Sequence, residues 1–359
     1  MKAAVCREFG KPLSIEDVYI AAPGPGEVTV NVKACAICHS DILYMEGAWG
    51  GDLPAVFGHE AAGVVEEAGP GVDGLSAGDH VAITLIRSCG RCPRCAQGDQ
   101  VLCEATFPLD RKPPLTSCLG HPISQGLRAA AFAEFVVVDA SQAVAIPEEL
   151  SFASGALIGC SVLTGFGAVV NTAAVPCGAA VVVIGTGGVG LNSVQGAALS
   201  GARTIIAVDP SNAKLAAARR FGATHAIDPR REDVGQVVRA LTGGRGADYV
   251  FIAVGAKDAI EQGFDLMRRG GTLVVIGMPA SGVMATFDPG KFANDGQRLL
   301  GSKMGSARVQ VDIPKIVSLY QQGRLKLDEL ITARYQLADI NEAIAATRGG
   351  DALRNVIIF

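Results

Sequence analysis

Short apolar runs divide the chain into two textures. Val28 to Val32 reads Val-Thr-Val-Asn-Val, the period of a half-buried strand, just after the turn-forming stretch Ala22-Pro23-Gly24-Pro25-Gly26. Val64-Val65, His80 to Ile83 and Phe135 to Val138 are further short strands, separated by Gly69-Pro70-Gly71 and Gly78-Asp79. Strands this short, with such turns, predict a small barrel or sandwich over about residues 1–155. Beyond it the pattern changes. The continuous run Ala180 to Ile184 reads as a buried strand, as do Thr204 to Val208, His225 to Ile227, Tyr249 to Ala253 and Thr272 to Gly277. Helical stretches such as Ala213 to Arg220 and Val234 to Leu241 lie between them. This alternation predicts a parallel sheet covered on both faces. From about residue 304 come helices at Ile313 to Gln322 and Ile340 to Arg348, then a last strand, Asn355 to Phe359.

Composition narrows the class without changing this picture. At 359 residues the chain is long for one core and suggests two domains. The 45 glycines and scarce aromatics suit an α/β protein of tight turns and close backbones. A net charge of −4 with no basic stripe argues against nucleic acid. No 18-residue apolar run is free of glycine and turn signals, so no membrane span is expected. The N-terminal Met1-Lys2-Ala3-Ala4-Val5 lacks a signal core, and a cytoplasmic location follows as the expectation. In that reducing setting, clustered thiols favour metal over disulfide.

Three motifs carry chemistry. Cys89, Cys92, Cys95 and Cys103 follow a C-x2-C-x2-C-x7-C spacing, with Gly90, Pro93 and Gly98 letting the loop curl. Four thiolates complete a tetrahedral zinc with no open position, a structural site; a disulfide pair is the alternative. Gly185-Thr186-Gly187-Gly188-Val189-Gly190 is a G-x-G-x-x-G between a strand and a helix, the context in which that motif binds a dinucleotide pyrophosphate. Asp209 ends the next strand, about 20 residues on. An acid there accepts from the ribose hydroxyls and repels a 2′-phosphate, which favours NAD over NADP. The third motif is dispersed. Cys38, His59 and Cys160 make the two-thiolate, one-imidazole set of a catalytic zinc whose fourth position stays open.

In this order the motifs resemble the zinc-dependent medium-chain alcohol dehydrogenases, and the stretch Gly58-His59-Glu60-x2-Gly63-x5-Gly69-x2-Val72 is similar to that family's zinc signature. The resemblance covers essentially the whole chain, down to Leu353-Arg354-Asn355-Val356, and looks closest to the long branch of liver-type and thiol-dependent formaldehyde dehydrogenases. It implies an α/β fold: a GroES-like β-rich catalytic domain of residues 1–161 and 304–359, and a doubly wound Rossmann domain of 162–303. It implies two zinc ions and NAD per chain, a small alcohol or aldehyde as substrate, and a homodimer or homotetramer. By position, Cys38, His59 and Cys160 match the catalytic ligands, Asp41 the carboxylate orienting the histidine, and Glu60 the acid behind the zinc. Ser40 matches the hydroxyl that starts a proton relay. His39 and Arg354 match cations near the pyrophosphate, Asp209 and Lys214 the ribose pair, and Thr164, Val189 and Ile276 the cofactor pocket. Trp49 and Leu85 fall at substrate-pocket positions.

Two departures bear on the reaction. Leu43 stands where many members carry a histidine at the solvent end of the relay, and Leu85 where some carry a phenylalanine. Lys303 is an unexpected cation near the pocket in the family frame. The expected activity is reversible NAD-linked hydride transfer between a primary or secondary alcohol and its aldehyde or ketone. The alternatives are an S-hydroxymethyl thiol adduct as substrate, with Arg111, Lys112 and Arg128 as candidate contacts, or a dinucleotide-binding scaffold or sensor without chemistry. A zinc-free reductase of the same superfamily would lack the Cys38, His59 and Cys160 set.

Overall fold

The valine alternation at residues 28–32 lies in strand Glu27–Ala36, the centre of a seven-stranded sheet. The computed structural model describes residues 1–359, and they fall into two compact units, 1–161 with 308–359 and 162–307. In the first unit Glu27–Ala36 pairs with Glu60–Ala68, Phe135–Asp139 and Arg354–Ile358. Neighbours at this density bury both faces, so Thr29 is buried along with Val28, Val30 and Val32. The half-buried strand expected there is instead mostly covered, with only Asn31 and Lys33 partly exposed. Five shorter strands, Lys2–Cys6, Ser14–Ile20, Leu115–Ser117, Pro122–Gln125 and Ala55–Val56, close a barrel beside that sheet. Val5, Val30, Ile37, Val56, Ile83 and Phe132 belong to one continuous core.

The second unit holds a six-stranded sheet in which every pairing is parallel. Its order is His225–Ile227, Thr204–Val208, Ala180–Ile184, Ala247–Ile252, Met267–Val275 and Arg298–Gly301. In chain order this is 3-2-1-4-5-6, the doubly wound arrangement whose switch point lies beside the first strand. That is where the Gly185–Gly190 loop sits.

Two segments depart from the sequence reading. Residues 152–172 form one helical run, which the change of texture near residue 155 did not reveal. Ser151 caps it by accepting from the Ser154 amide at 3.2 Å, and it widens into π-type turns at Ile158–Val162 and Ala168–Thr172. By length and composition it could cross a membrane, although its glycines set it aside at the sequence level; 94% of its apolar window is buried inside the protein. The second departure is the return to the first unit at Arg308 rather than 304. Met304, Gly305 and Ser306 all have positive φ and form a tight turn of the second unit. Asn171 donates to the Gly305 carbonyl at 3.3 Å, and Thr172 bonds both Ser302 and Ser306 hydroxyls at 2.8 Å. Those bonds hold 304–306 with the 162–307 unit.

Candidate active site

The centre of the first unit is assembled by one aspartate. Strand Glu27–Ala36 runs into Cys38, which caps the short helix His39–Met45. Asp41, in the first turn, accepts from the Cys38 amide at 3.0 Å, the Gly58 amide at 2.9 Å and Nδ1 of His59 at 3.0 Å. Both Asp41 and His59 are completely buried. A proton held on Nδ1 by that carboxylate leaves Nε2 as the ligand nitrogen. Gly58 is required where it stands: its φ is +90°, and a Cβ would come within 2.6 Å of the Phe132 amide nitrogen.

His59 Nε2 lies 3.3 Å from Cys160 Sγ, which the π-type turn Ile158–Val162 presents. The Cys38 and Cys160 sulfurs, a His59 ring nitrogen and a Glu60 carboxylate oxygen all lie within 4.8 Å of one another, every residue buried. Hydrogen bonding from Cys160 holds the Cys38 thiol well below its usual pKa despite burial, while the same bond and burial raise Cys160 well above its own. Burial disfavours a charged His59, yet the Asp41 carboxylate and Cys38 together raise its pKa well above the usual value. Burial lifts Glu60 to about 7 against the opposing charge of Arg354, whose Nε is 3.5 Å from Glu60 Oε2. Ser161 donates to that same oxygen at 3.1 Å, but Glu60 Oε1 is buried with no hydrogen-bond partner. Two sulfurs and an imidazole nitrogen, with a buried carboxylate oxygen close by, suit a divalent, sulfur-tolerant cation. Zinc fits, and Cys38 and Cys160 as thiolates with His59 as a neutral imidazole would hold it.

The second cluster fits zinc differently. The Cys89, Cys92, Cys95 and Cys103 sulfurs also lie within 4.8 Å of one another. Here backbone amides point at sulfur: Cys92 N at Cys89 (3.3 Å), Cys89 N at Cys103 (3.4 Å) and Cys95 N at Cys92 (3.5 Å). Amides from Cys95 and Glu104 lower Cys92 to about 6, whereas burial and Cys92 push Cys95 up to about 12.

In the second unit, the glycine loop joins strand Ala180–Ile184 to helix Gly188–Leu199. A Cβ on Gly190 would sit 1.8 Å from the Gly185 carbonyl oxygen, whereas one on Gly187 would meet nothing within 4 Å. The first is therefore a packing glycine, and the second leaves bare backbone for a ligand to approach. Thr186 Oγ1 is buried without a partner at this loop. The Thr186 amide donates to Asp209 Oδ2 and the Ser211 amide to Asp209 Oδ1, each at 2.8 Å, which pins the acid beside the loop. A dinucleotide with its pyrophosphate at the helix N-terminus and its ribose at Asp209 fits this cradle.

The remaining sequence candidates are spread around these centres. Ser40 and Leu43 are half-buried on helix His39–Met45, whose first residue, His39, is exposed. Trp49 meets Tyr44 edge-on, with ring centroids 5.1 Å apart, and Leu85 is half-buried just past strand His80–Ile83. Thr164 donates to the Met304 sulfur at 3.6 Å. Ile276 is buried after strand Met267–Val275, Val189 begins the turn of helix Gly188–Leu199, and the Lys214 amide is capped by Ser211.

Sequence reading passed over Arg87. Its guanidinium, 1% exposed, donates to Gln142 (2.7 Å), Asp110 (2.9 Å), Gln125 and the Arg128 carbonyl (both 3.1 Å). It ties down the chain on either side of the four-cysteine loop. A lone arginine two residues before a cysteine carries no local signal of this.

The chain is similar to known proteins along its whole length. Residues 24–148 match the family model for an alcohol dehydrogenase GroES-like domain, and residues 188–322 that for a zinc-binding dehydrogenase. Alcohol dehydrogenase class-3 of Cereibacter sphaeroides is 38% identical over 375 residues, covering 100% of this chain and 99% of that protein. The S-(hydroxymethyl)glutathione dehydrogenase of Paracoccus denitrificans is 36% identical over 373 residues, with coverage of 100% and 99%. The crystal structure of benzyl alcohol dehydrogenase from Acinetobacter calcoaceticus superposes with a TM-score of 0.93 at 31% identity, covering 100% of this chain and 99% of that one. Full-length likeness of this kind, in a chain whose two sulfur clusters and glycine loop are all in place, means that it belongs to the zinc-dependent medium-chain alcohol dehydrogenase family.

Proposed function

We propose that this chain is an NAD-linked zinc alcohol dehydrogenase that interconverts a primary or secondary alcohol and its aldehyde or ketone. The observation that carries the reading is the fully buried Cys38, His59, Glu60 and Cys160 cluster, with Asp41 fixing the histidine. When bound there, zinc supplies Lewis acidity at the substrate oxygen and the nicotinamide supplies the hydride acceptor.

The chain's own groups do the rest. Cys38, His59 and Cys160 hold the metal, and Asp41 keeps the proton on His59 Nδ1. Ser40 Oγ would take up the proton of the substrate hydroxyl as it gives up its own, which relays the charge away from the reacting oxygen. Leu43 has no atom able to accept it further on, so water takes it there. Arg354, buried beside Glu60, balances the charge of that carboxylate. The four-cysteine loop holds the second, structural zinc.

Asp209 supports NAD over NADP, since its charge stands where a 2′-phosphate would bind. Association into a homodimer or homotetramer is supported by the edge strand Arg298–Gly301, which pairs on one side only and exposes Leu299. A cytoplasmic setting is supported by ten cysteines with no disulfide among them. A second reading, an S-hydroxymethyl thiol adduct as substrate, is favoured by the full-length match to a relative named for that activity.

A panel of primary, aromatic and thiol-adduct alcohols, read as NADH formation, tests these together. We expect turnover with NAD at least about a hundredfold more efficient than with NADP. Comparable efficiency with both would contradict the role of Asp209. No NADH from any alcohol by a protein loaded with two zinc ions would contradict the reading as a whole.

A further inference from the structure

Asp209 has a neighbour of the same kind. Strands Thr204–Val208 and His225–Ile227 are parallel partners, with Val208 opposite Ile227, and each is followed at once by an aspartate. The Asp209 amide donates to the Ile227 carbonyl at 3.2 Å. Asp209 and Asp228 therefore stand side by side at the same edge of the sheet, both only 5% exposed. Their partners differ. Asp209 accepts the backbone amides of Thr186 and Ser211, and its charge also acts on the nearby Arg230 guanidinium without a hydrogen bond to it. Asp228 binds cations: Arg230 Nε at 3.0 Å, Arg230 Nη2 at 2.9 Å and Arg231 Nε at 3.3 Å, as well as the Arg230 amide at 3.0 Å.

The Arg230 guanidinium is thus clamped at two points by one carboxylate. Its Nη2 also donates to the carbonyl of Pro210, the residue after Asp209. Both arginines are otherwise well exposed, at 62% and 69%. Arg230 therefore reaches the residue next to the acid that selects the ribose, and both it and Arg231 are paired with Asp228. Arg230 lowers Asp228 to about 2, so the clamp carries full charge at neutral pH.

We propose that Asp228 is a second specificity-determining residue, which holds Arg230 on itself and keeps that cation from the ribose 2′ position. This rests on the reading of the Gly185–Gly190 loop and Asp209 as the dinucleotide site. Rejection of a 2′-phosphate is then the joint work of two acids. Asp209 fills the place between the Thr186 and Ser211 amides where an anion would sit. Asp228 occupies the guanidinium that would otherwise bind that anion. A charge-assisted, two-point pair is roughly twice as strong as a neutral hydrogen bond, so Arg230 stays with Asp228 while that acid is ionised. Removing Asp209 alone opens two amide donors and leaves both arginines occupied. Asp228→Asn keeps an oxygen for the Arg230 amide, and so keeps the turn, but gives up the charge that holds the guanidinium.

The test is calorimetric binding of 2′,5′-ADP and of 5′-AMP to the full-length, zinc-loaded protein, with no turnover involved. The affinity ratio of the two ligands is compared across Asp209→Gly, Asp228→Asn, the double variant, and the double variant carrying Arg230→Ala. Asp209→Gly is expected to shift the ratio toward 2′,5′-ADP by about tenfold, and Asp228→Asn to add about tenfold more in that background. Arg230→Ala should erase the second step and leave the first. Asp228→Asn alone should shift the ratio by less than about threefold, because Asp209 still fills the anion place. A double variant no better than Asp209→Gly overturns the clamp, as does a second step that survives Arg230→Ala. A wild type that binds neither NADH nor 5′-AMP overturns the dinucleotide reading as well as the clamp, which sets that failure apart from the others.

Discussion

The two sulfur clusters use nearly the same ligands in the same unit, yet they are built in opposite ways. The Cys89, Cys92, Cys95 and Cys103 loop gathers its sulfurs over one short stretch, three of them only half-buried. Its charge is stabilised locally, by backbone amides aimed at sulfur. Cys38, His59 and Cys160 come from a strand end, a loop and a π-type turn, and all are buried. Side chains shape that centre: Asp41 orients the histidine, and Arg354 and Ser161 face Glu60. A local site can form before the fold, and it then contributes to folding. A dispersed site forms only after the fold, so it is free to leave a position for substrate.

The comparison is broken most severely by Cys95→Ser. With one thiolate gone, the loop loses its zinc and the folding energy that comes with it. We expect the unfolding free energy to drop by about 4 kcal/mol or more, read from denaturant midpoints. A stability change below about 1 kcal/mol would mean that the loop closes without metal.

Ser40→Ala probes the other side of the contrast, chemistry without ligation. Turnover should fall by about a hundredfold while zinc content and stability hold, because serine is not a ligand. Near-normal turnover at every pH would mean that the proton leaves by another route.

The smallest effect belongs to Asp41→Asn. Asparagine can still accept a hydrogen bond from His59 Nδ1 but no longer compensates the charge of a buried, metal-bound imidazole. Zinc affinity at this centre should weaken by about tenfold to a hundredfold in chelator competition, with the four-cysteine loop unaffected. Equal weakening at both centres would show that the sites are not independent.

The same contrast governs what was legible in the sequence. The four-cysteine loop could be read from spacing alone, because its geometry is local. So could the strand, glycine loop, helix and acid around Ala180–Ile184, Gly188–Leu199 and Asp209, since each step follows the last along the chain. The dispersed trio needed a family resemblance, because nothing in the sequence says that residues 38, 59 and 160 converge. The barrel strands Lys2–Cys6 and Ser14–Ile20 were missed: the first is a short apolar run with no alternation, and only one position of the second is buried. Helix residues 152–172 gave no polar face to mark a helical period, being buried almost throughout. Arg87, Asp228 and Arg230 carry no pattern at all. Arg87 takes its meaning from distant partners such as Gln142, and the Asp228–Arg230 pair, though local, takes its meaning from the neighbouring strand that ends in Asp209.

The central claim is that the chain holds two zinc ions in two independent places, one for folding and one for chemistry. Elemental analysis of the wild type and of Cys160→Ala, each paired with circular dichroism and an alcohol-oxidation assay, tests it most directly. The account predicts two zinc ions in the wild type. The variant should keep one, retain the wild-type spectrum and lose activity by at least about a thousandfold. A folded Cys160→Ala protein that keeps both zinc ions, or one that keeps its activity with a single ion, would contradict it.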